Sequence, residues 1–280
     1  MSKNVYFSAF CGEWGWELAS WIPSIRAISK GYNKTIIEVQ PGMEYFYRDF
    51  SDELILNPRD SSDFDMYSGK PKNPPPSKLT DTDVIIPTQF WKQHARWEFR
   101  IIKTANRGQK LQPKEWRKYG TENPKYVADI MCAWRGPKHF RGRSFPEKVY
   151  PTDKCIALTR KLMDAGYSVA CYGGEDNVYV EGSVDYRGVP VEELCGALSQ
   201  AKLAIGPSSG TLHLASLCGT PHVTWYGRPV VSMDRYLTYW NPFETPVTFI
   251  SGSGCPDVDI AFENAVKRMD SETKKLNWIK

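Results

Sequence analysis

Short runs of apolar residues alternate along the chain with longer segments whose apolar residues recur every three or four positions. The short runs predict buried strands at residues 5–10, 35–39, 83–87, 127–134, 167–172, 203–205 and 221–225. The longer segments predict amphipathic helices at residues 16–30, 152–165, 211–218 and 257–276. Strands that alternate with helices form parallel βαβ units, so the pattern predicts an α/β protein with doubly wound sheets.

The same layout occurs twice, which predicts two Rossmann-like lobes with a central cleft. The first lobe is expected at residues 1–125 and the second at residues 126–256, followed by a helical tail at residues 257–280. Residues 57–78 are rich in Asp, Ser, Pro, Lys and Gly and predict a long loop within the first lobe.

Residues 201–227 combine a strand, a turn of small residues, a helix and a second strand. Ser208, Ser209, Gly210 and Thr211 fall where the first of these strands meets the first turn of the helix. Backbone N–H groups and the helix dipole favour an anion at such a place, and small residues let a phosphate approach closely. An ordinary capped β–α turn explains the local pattern equally well, because Ser and Thr are preferred N-caps.

This segment resembles the donor-binding half of GT-B glycosyltransferases, and most closely that of family 9, the bacterial heptosyltransferases. The matching residues are Gly206, Ser208, Ser209, Gly210, His213, Leu214, Ala215, Gly219, Thr220 and Pro221. The family usually has Asp at the position of Ser208, and Pro or Leu at that of Thr211. The resemblance implies a GT-B fold, a nucleotide-sugar donor bound by the second lobe, and a C-terminal helix that braces the first lobe.

Further residues of the second lobe are candidates for holding that donor. Arg135, Lys138, Arg141 and Arg143 follow the strand at residues 127–134, and cations around a glycine-containing loop suit a pyrophosphate. A solvated basic loop is the alternative, and it weighs more for Lys138 and Arg141. Gly174, Glu175 and Asp176 follow the next strand and would meet the nucleoside, whereas glycines there also suit a plain tight turn. His213 would either reach the donor phosphates or serve as a structural histidine.

A catalytic base is expected in the first lobe, in the turn at residues 11–17. The resemblance implies an Asp near the start of the first helix, which takes the proton of the acceptor hydroxyl in an inverting transfer. This chain has Glu13 and Glu17 instead. Glu13 lies in the turn and is the preferred base. Glu17 falls on the first helical turn, where it would also favour the helix dipole.

Positive charge is concentrated in a segment that has no counterpart in the resemblance. Residues 92–118 hold nine lysines and arginines against two glutamates, although the whole chain carries a net charge of only +4. Basic side chains interleaved with aromatic ones suit a polyanion with accessible bases. We therefore assign acceptor binding to Trp14, Trp91, His94, Arg96, Trp97 and Arg100. A solvated amphipathic helix whose tryptophans face inward is nearly as good an interpretation.

The composition bounds the remaining choices. The seven cysteines are scattered without a Cys-x-x-Cys pair, which predicts buried free thiols and no structural zinc site. We expect a cytoplasmic protein, in the host cytoplasm if it is phage-encoded, because no signal peptide or membrane span is visible. No Asp-x-Asp motif follows a strand, which predicts a metal-independent reaction without a cofactor other than the nucleotide-sugar co-substrate.

The sequence therefore predicts a glycosyltransferase that moves a sugar from a nucleotide-sugar donor to a hydroxyl group. The favoured acceptor is a hydroxymethylated pyrimidine in DNA, as in phage enzymes, and the alternative is lipopolysaccharide or another surface glycan. Two further classes stay open: a non-catalytic nucleic-acid-binding protein on a degenerate GT-B scaffold, and a nucleotide-sugar epimerase of similar two-lobed fold.

Overall fold

The computed structural model of the protein describes residues 4–7, 9–10, 14–56, 84–86, 114–136, 149–226, 233–252 and 254–278. The chain divides into two compact units, Met1–Pro113 and Lys114–Lys280, and each unit has its own parallel sheet.

The first unit contains a four-stranded sheet in the order β3-β2-β1-β4. Its strands are β1 (Val5–Phe7), β2 (Thr35–Val39), β3 (Glu53–Leu56) and β4 (Val84–Ile86). All three pairings are parallel, with Val5 opposite both Thr35 and Val84. The residues of β1 and β2 are buried without alternation, as expected of parallel strands that are covered on both faces.

The helix that follows β1 is built from three parts. It consists of α1 (Trp14–Trp16), a π-helical turn (Glu17–Trp21) and α2 (Ile22–Ser29). The sequence predicts one helix at residues 16–30, and its pattern does not reveal the π-helical turn. Pro23 is the second residue of α2 and directly follows the π-helical turn, so it has no N–H to donate to that turn. A 3₁₀ turn at Glu44–Phe46 follows β2.

The second unit contains a six-stranded parallel sheet in the order β10-β9-β8-β5-β6-β7. Its strands are β5 (Ile130–Cys132), β6 (Val169–Gly173), β7 (Val184–Arg187), β8 (Leu203–Pro207), β9 (His222–Trp225) and β10 (Val247–Ile250). Its helices are α3 (Thr152–Asp164), α4 (Val191–Gln200), α5 (Gly210–Leu217), α6 (Met233–Trp240) and α7 (Val258–Trp278). Counted from β5, this is the 3-2-1-4-5-6 strand order of the Rossmann fold.

Aromatic packing fixes the core of the second unit beside β5. Trp134 stacks on Tyr150 with ring centroids 5.7 Å apart, and Tyr150 packs on Trp225 at 4.9 Å. The indole Nε1 of Trp134 donates a hydrogen bond of 2.8 Å to Thr159 Oγ1 on α3. The buried tryptophan thus has its polar atom satisfied, so the cluster is a stable anchor for the end of β5.

The C-terminal helix α7 packs on its own unit. Its buried residues Ala261, Ala265 and Met269 recur every four positions and join the core with β8 and β9. Lys161 of α3 pairs with Asp259 of α7 at 2.5 Å. That this helix also braces the first lobe stays a prediction.

The boundary between the units falls at Pro113, ahead of the position near residue 125 that the sequence predicts. The intervening residues pack on the second unit, because Trp116 is buried and the Thr121 N–H donates to the Glu192 carbonyl oxygen at 3.2 Å. The strand predicted at residues 127–134 is observed only at Ile130–Cys132. Trp134 lies beyond the end of β5, and its carbonyl oxygen accepts a hydrogen bond from the Val178 N–H. Within the described ranges, no helix has the length and apolarity needed to cross a bilayer.

Candidate functional site

The strand order of the second sheet reverses between β5 and β8. The chain segments that follow the two strands at such a point turn to opposite sides, which leaves a crevice beyond the carboxyl ends of these parallel strands. The ends of β5 and β8 are very close there, because the Ala133 N–H donates to the Ile205 carbonyl oxygen at 2.8 Å. A Cβ atom at Gly206 would lie 2.7 Å from the Ala133 carbonyl oxygen, so only glycine fits at this position. The topology therefore directs attention to the residues that follow Cys132 and Pro207.

The turn after β8 presents the start of α5 at this edge. Ser208 and Ser209 are buried, and Ser209 is the N-cap residue in extended conformation. The Ser209 side chain makes no capping hydrogen bond, and its buried Oγ has no hydrogen-bond partner among the residues that the structure describes. The turn is therefore not the side-chain-capped one that the pattern alone allowed. The N–H groups of the first turn of α5 and the Ser209 hydroxyl suit an anion.

His213 lies behind this turn and contacts it through Ser208. Its Nε2 is 3.1 Å from Ser208 Oγ, and its ring stacks on Trp240 with centroids 4.2 Å apart and an interplanar angle of 5°. Tyr236 approaches the same ring edge-on at 5.9 Å. His213 is 6% exposed. These surroundings favour a histidine that orients Ser208 over one that reaches a ligand itself.

Arg135 follows β5 and is 9% exposed. The next residue, Gly136, packs so tightly that a Cβ atom there would overlap the Asp176 carbonyl oxygen. This contact joins the segment after β5 to the loop after β6. Lys138, Arg141 and Arg143 lie outside the described residues.

The loop after β6 carries Gly174, Glu175 and Asp176, all of which are exposed. It is a tight turn, in which the Asn177 N–H donates to the Gly174 carbonyl oxygen at 2.9 Å. Arg187 at the end of β7 donates to the carbonyl oxygens of Glu175 and Asn177. The sequence analysis did not single out Arg187, because only the pairing of β6 with β7 brings it to this loop.

In the first unit, one side chain from β2 and one from the residue after it hold the chain just after β1. Glu38 accepts hydrogen bonds from the Tyr6 hydroxyl at 2.7 Å and from the Ala9 N–H at 3.2 Å. The Gln40 amide donates to the Phe10 carbonyl oxygen at 3.1 Å. Glu13, in the turn predicted from the sequence at residues 11–17, lies outside the described residues. Glu38 is not among the site residues predicted from the sequence, because it lies between Ile37 and Val39 in a segment that indicates only a buried strand.

Glu17, the other predicted base, is 2% exposed and lies in the π-helical turn. Its Oε1 accepts a hydrogen bond of 2.5 Å from the Tyr47 hydroxyl. This environment favours a structural role that joins the helix to the segment after β2. Trp14, one turn earlier, is partly buried and packs edge-on against Phe46 at 6.2 Å.

The other residues predicted to bind the acceptor, Trp91, His94, Arg96, Trp97 and Arg100, lie outside the described residues. The end of their basic segment is described, and there Trp116 is buried. Arg117 and Lys118 both pair with Glu115. Over this short part, aromatic burial and ion pairing fit the amphipathic interpretation better than an open polyanion site. No three His, Cys, Asp or Glu side chains in the described ranges are grouped to hold a metal ion.

No protein-family model matches the chain, and a search of curated proteins also found no match. Solved structures resemble it over nearly their whole length. A glycosyl transferase of family 9 from Veillonella parvula has a TM-score of 0.57 at 13% identity, covering 96% of each chain.

Two Escherichia coli enzymes are similar as well. ADP-heptose lps heptosyltransferase II has a TM-score of 0.57 at 13% identity, covering 96% of this chain and 99% of that one. Heptosyltransferase WaaC, solved with ADP-2-deoxy-2-fluoro heptose, has a TM-score of 0.54 at 15% identity and covers 96% and 99%. At these identities the likeness concerns the fold, and it agrees with the two parallel sheets. The chain has the GT-B fold, as the sequence predicted, and the structures that it resembles include family 9 heptosyltransferases.

Proposed function

We propose that this protein is a glycosyltransferase that moves a sugar from a nucleotide-sugar donor to an acceptor hydroxyl group. One observation carries the proposal: the buried Ser209 Oγ at the start of α5 makes no capping hydrogen bond, at the point where the strand order reverses. A buried hydroxyl without a partner costs about 1–3 kcal/mol, which a bound ligand would recover. The similarity to GT-B structures favours the diphosphate of a nucleotide-sugar as that ligand.

The second unit would bind this donor through three groups of residues. The first turn of α5, with Ser208, Ser209, Gly210 and Thr211, would accept the diphosphate, and Arg135 would neutralise it together with Lys138 and Arg143. Glu175 beside Gly174 would accept hydrogen bonds from the ribose hydroxyls. Helix termini and cations stabilise a leaving diphosphate without a metal ion, so a metal-independent reaction is part of the proposal.

Glu13 is the proposed base for an inverting transfer. Its carboxylate would take the proton of the acceptor hydroxyl while the oxygen attacks the anomeric carbon and the nucleoside diphosphate leaves. Glu38 and Gln40 support this assignment, because their hydrogen bonds to Ala9 and Phe10 fix the chain that leads into the turn.

The proposed acceptor is a saccharide of a cell-surface glycan, such as a lipopolysaccharide core. This was the alternative in the sequence analysis, and it replaces the DNA base as the preferred acceptor. One of the similar structures is named as a lipopolysaccharide heptosyltransferase, whereas no comparison supports a DNA acceptor. The described end of the basic segment, with its buried Trp116 and paired cations, gives the DNA acceptor no further support.

The test is a transfer assay on the purified chain with ADP-, UDP-, GDP- and CMP-sugars, ADP-heptose included. Truncated lipopolysaccharide and DNA with hydroxymethylated pyrimidines serve as parallel acceptors, and mass spectrometry detects the added sugar. We expect a sugar increment on the saccharide and none on the DNA. Glu13→Gln should abolish turnover and keep donor binding, whereas the exposed control Glu53→Gln should keep both. Donor interconversion without an acceptor would indicate an epimerase, and DNA binding without donor binding would indicate a non-catalytic protein.

A further inference from the structure

We infer that Arg187 is a positioning residue, which fixes the loop after β6 so that its carboxylates can receive the hydroxyl groups of a ribose. The inference rests on the proposed function, since it concerns the nucleoside part of the same donor. It adds a residue of β7 that is not among the site residues predicted from the sequence.

Arg187 reaches the loop from the neighbouring strand. β6 and β7 pair in parallel with Gly173 opposite Arg187, and the Gly188 N–H donates to the Gly173 carbonyl oxygen at 2.9 Å. From there, Nη1 of Arg187 donates to the carbonyl oxygens of Glu175 at 3.2 Å and Asn177 at 2.8 Å. One guanidinium nitrogen thus bridges both sides of the exposed residue Asp176.

Asp185 holds the guanidinium in place for this task. Its two carboxylate oxygens accept from Nε and Nη2 of Arg187, each at 2.8 Å. The guanidinium also lies 5.2 Å from the centroid of the Tyr179 ring. The hydrogen bond from Arg187 lowers the pKa of Asp185, so the pair stays charged at neutral pH. A bidentate, planar contact of this kind fixes orientation, which a lysine could not do.

Two glycines, Gly173 and Gly174, lead from β6 into the loop. Asn177 closes the inner side, since its side-chain amide donates to the Tyr172 carbonyl oxygen at 3.0 Å. The stem of Glu175 lies against Gly188, where a Cβ atom would be 2.8 Å from the Glu175 Cγ. Gly188 itself has a φ of 66°, which also favours glycine.

This arrangement suits a neutral diol better than a phosphate. A carboxylate accepts two hydroxyl hydrogen bonds at a smaller entropic cost when its backbone is already held in one orientation, because ordering a glycine-containing loop at the moment of binding weakens affinity. Arg187 fixes that orientation before the ligand arrives. Four of its five N–H donors bond to Asp185 and the loop carbonyls, so we assign it a role through the loop rather than on the ligand.

Calorimetric titration of the full chain tests this, with the nucleoside diphosphate that binds most tightly among ADP, UDP, GDP and CDP. Its 2′-deoxy and 3′-deoxy analogues and inorganic pyrophosphate are the further probes. We expect Arg187→Ala to weaken the ribonucleotide about tenfold, which corresponds to losing one hydrogen bond to a charged group. Pyrophosphate affinity should stay unchanged, and the loss should shrink for at least one deoxy analogue.

Arg26→Ala is the matched control. Arg26 in the first unit also forms a two-point pair with an aspartate, Asp49, lies 4.3 Å from the Phe50 ring centroid, and has the same 24% side-chain exposure as Arg187. It should leave all four affinities unchanged. Arg187→Lys provides a second, milder variant that keeps the positive charge beside Asp185, and it should weaken the ribonucleotide in the same selective way.

The outcomes distinguish a failure of the positioning role of Arg187 from a failure of the proposed function. Equal losses for the ribonucleotide, both deoxy analogues and pyrophosphate would overturn the positioning role and leave the proposed donor site standing. Unchanged ribonucleotide affinity in both Arg187 variants would do the same. A wild-type chain that binds neither nucleotides nor pyrophosphate would overturn the proposed function and the inference with it.

Discussion

The carboxyl edges of the two sheets differ in how their buried carboxylates and hydroxyls are hydrogen-bonded. In the first unit, Glu38 accepts from Tyr6 and Ala9, and Glu17 accepts from Tyr47. In the second unit, the buried Ser209 Oγ has no partner within the described part of the chain. Both edges follow parallel strands in the 3-2-1-4 arrangement, so topology alone does not distinguish them.

The difference shows how burial separates structural from ligand-binding side chains. A buried carboxylate that receives hydrogen bonds from the protein has already recovered the cost of leaving water. A buried hydroxyl without a partner has not, and a ligand can supply what is missing. By this criterion Glu17 and Glu38 belong to the scaffold, while the start of α5 is where we propose that a ligand binds.

Removing Glu38 should have the largest effect on stability. Glu38→Ala takes an acceptor from the Tyr6 hydroxyl in β1 and from the Ala9 N–H just beyond that strand, both of which are buried, and we expect a loss of about 4 kcal/mol in the free energy of unfolding. Denaturant unfolding of the full chain measures it. Glu53→Gln, which removes an exposed pair with Lys34, should cost less than about 0.5 kcal/mol. A Glu38→Ala cost as small as that of the control would show that this carboxylate does not support the scaffold.

Acid should weaken the second unit through His222. This histidine is fully buried between Thr220 and Tyr236, and burial lowers its pKa to about 4. The unfolded chain binds a proton near pH 6.5 and the folded one does not. The stability is therefore complete above pH 6.5 and falls as the pH drops towards 4, by about 3 kcal/mol in total.

Hydrogen exchange of the full chain between pH 6.5 and 5 measures this slope in the peptides of β9 and α6. Aspartates such as Asp185, whose pKa is lowered, lose their contribution only at more acidic pH. His222→Gln should flatten the slope. A slope of equal size in that variant would assign the acid sensitivity to other groups.

The smallest expected effect is the most direct test of the comparison. Ser209→Ala removes a buried hydroxyl that the described residues leave without a partner, so the free energy of unfolding should stay within about 0.5 kcal/mol or rise. Affinity for the donor nucleotide should fall about tenfold, as calorimetry would measure. Ser199→Ala, which removes an ordinary hydrogen bond to Gly196 on α4, is the control and should leave affinity unchanged. Lost stability with intact nucleotide binding would contradict the distinction between the two edges.

Local patterns predicted most strands and helices, but they did not predict the boundary between the units or the π-helical turn. The helix predicted at residues 152–165 is α3 (Thr152–Asp164), and the strand and helix around Ser208 are β8 and α5. The two helices have clear periodicity, and each is followed within two residues by a glycine of positive φ, Gly166 and Gly219. The boundary near residue 125 was placed on strand pattern alone, whereas the burial of Trp116 against its unit decided it. The apolar pattern does not reveal the π-helical turn at Glu17, because it is the same for i+4 and i+5 hydrogen bonding over a single turn.

The sequence by itself determined the α/β class, the strand–turn–helix at residues 203–217 and the residue types available for a diphosphate, since each depends on neighbours along the chain. Tertiary structure decided which polar side chains find hydrogen-bond partners within the protein. Glu17 meets Tyr47, Glu38 meets Ala9, and Arg187 meets the Glu175 loop only because distant segments pair in one register. Hydrogen bonds between such segments have no counterpart in local spacing, which is why Arg187 and Glu38 emerged from the structure alone.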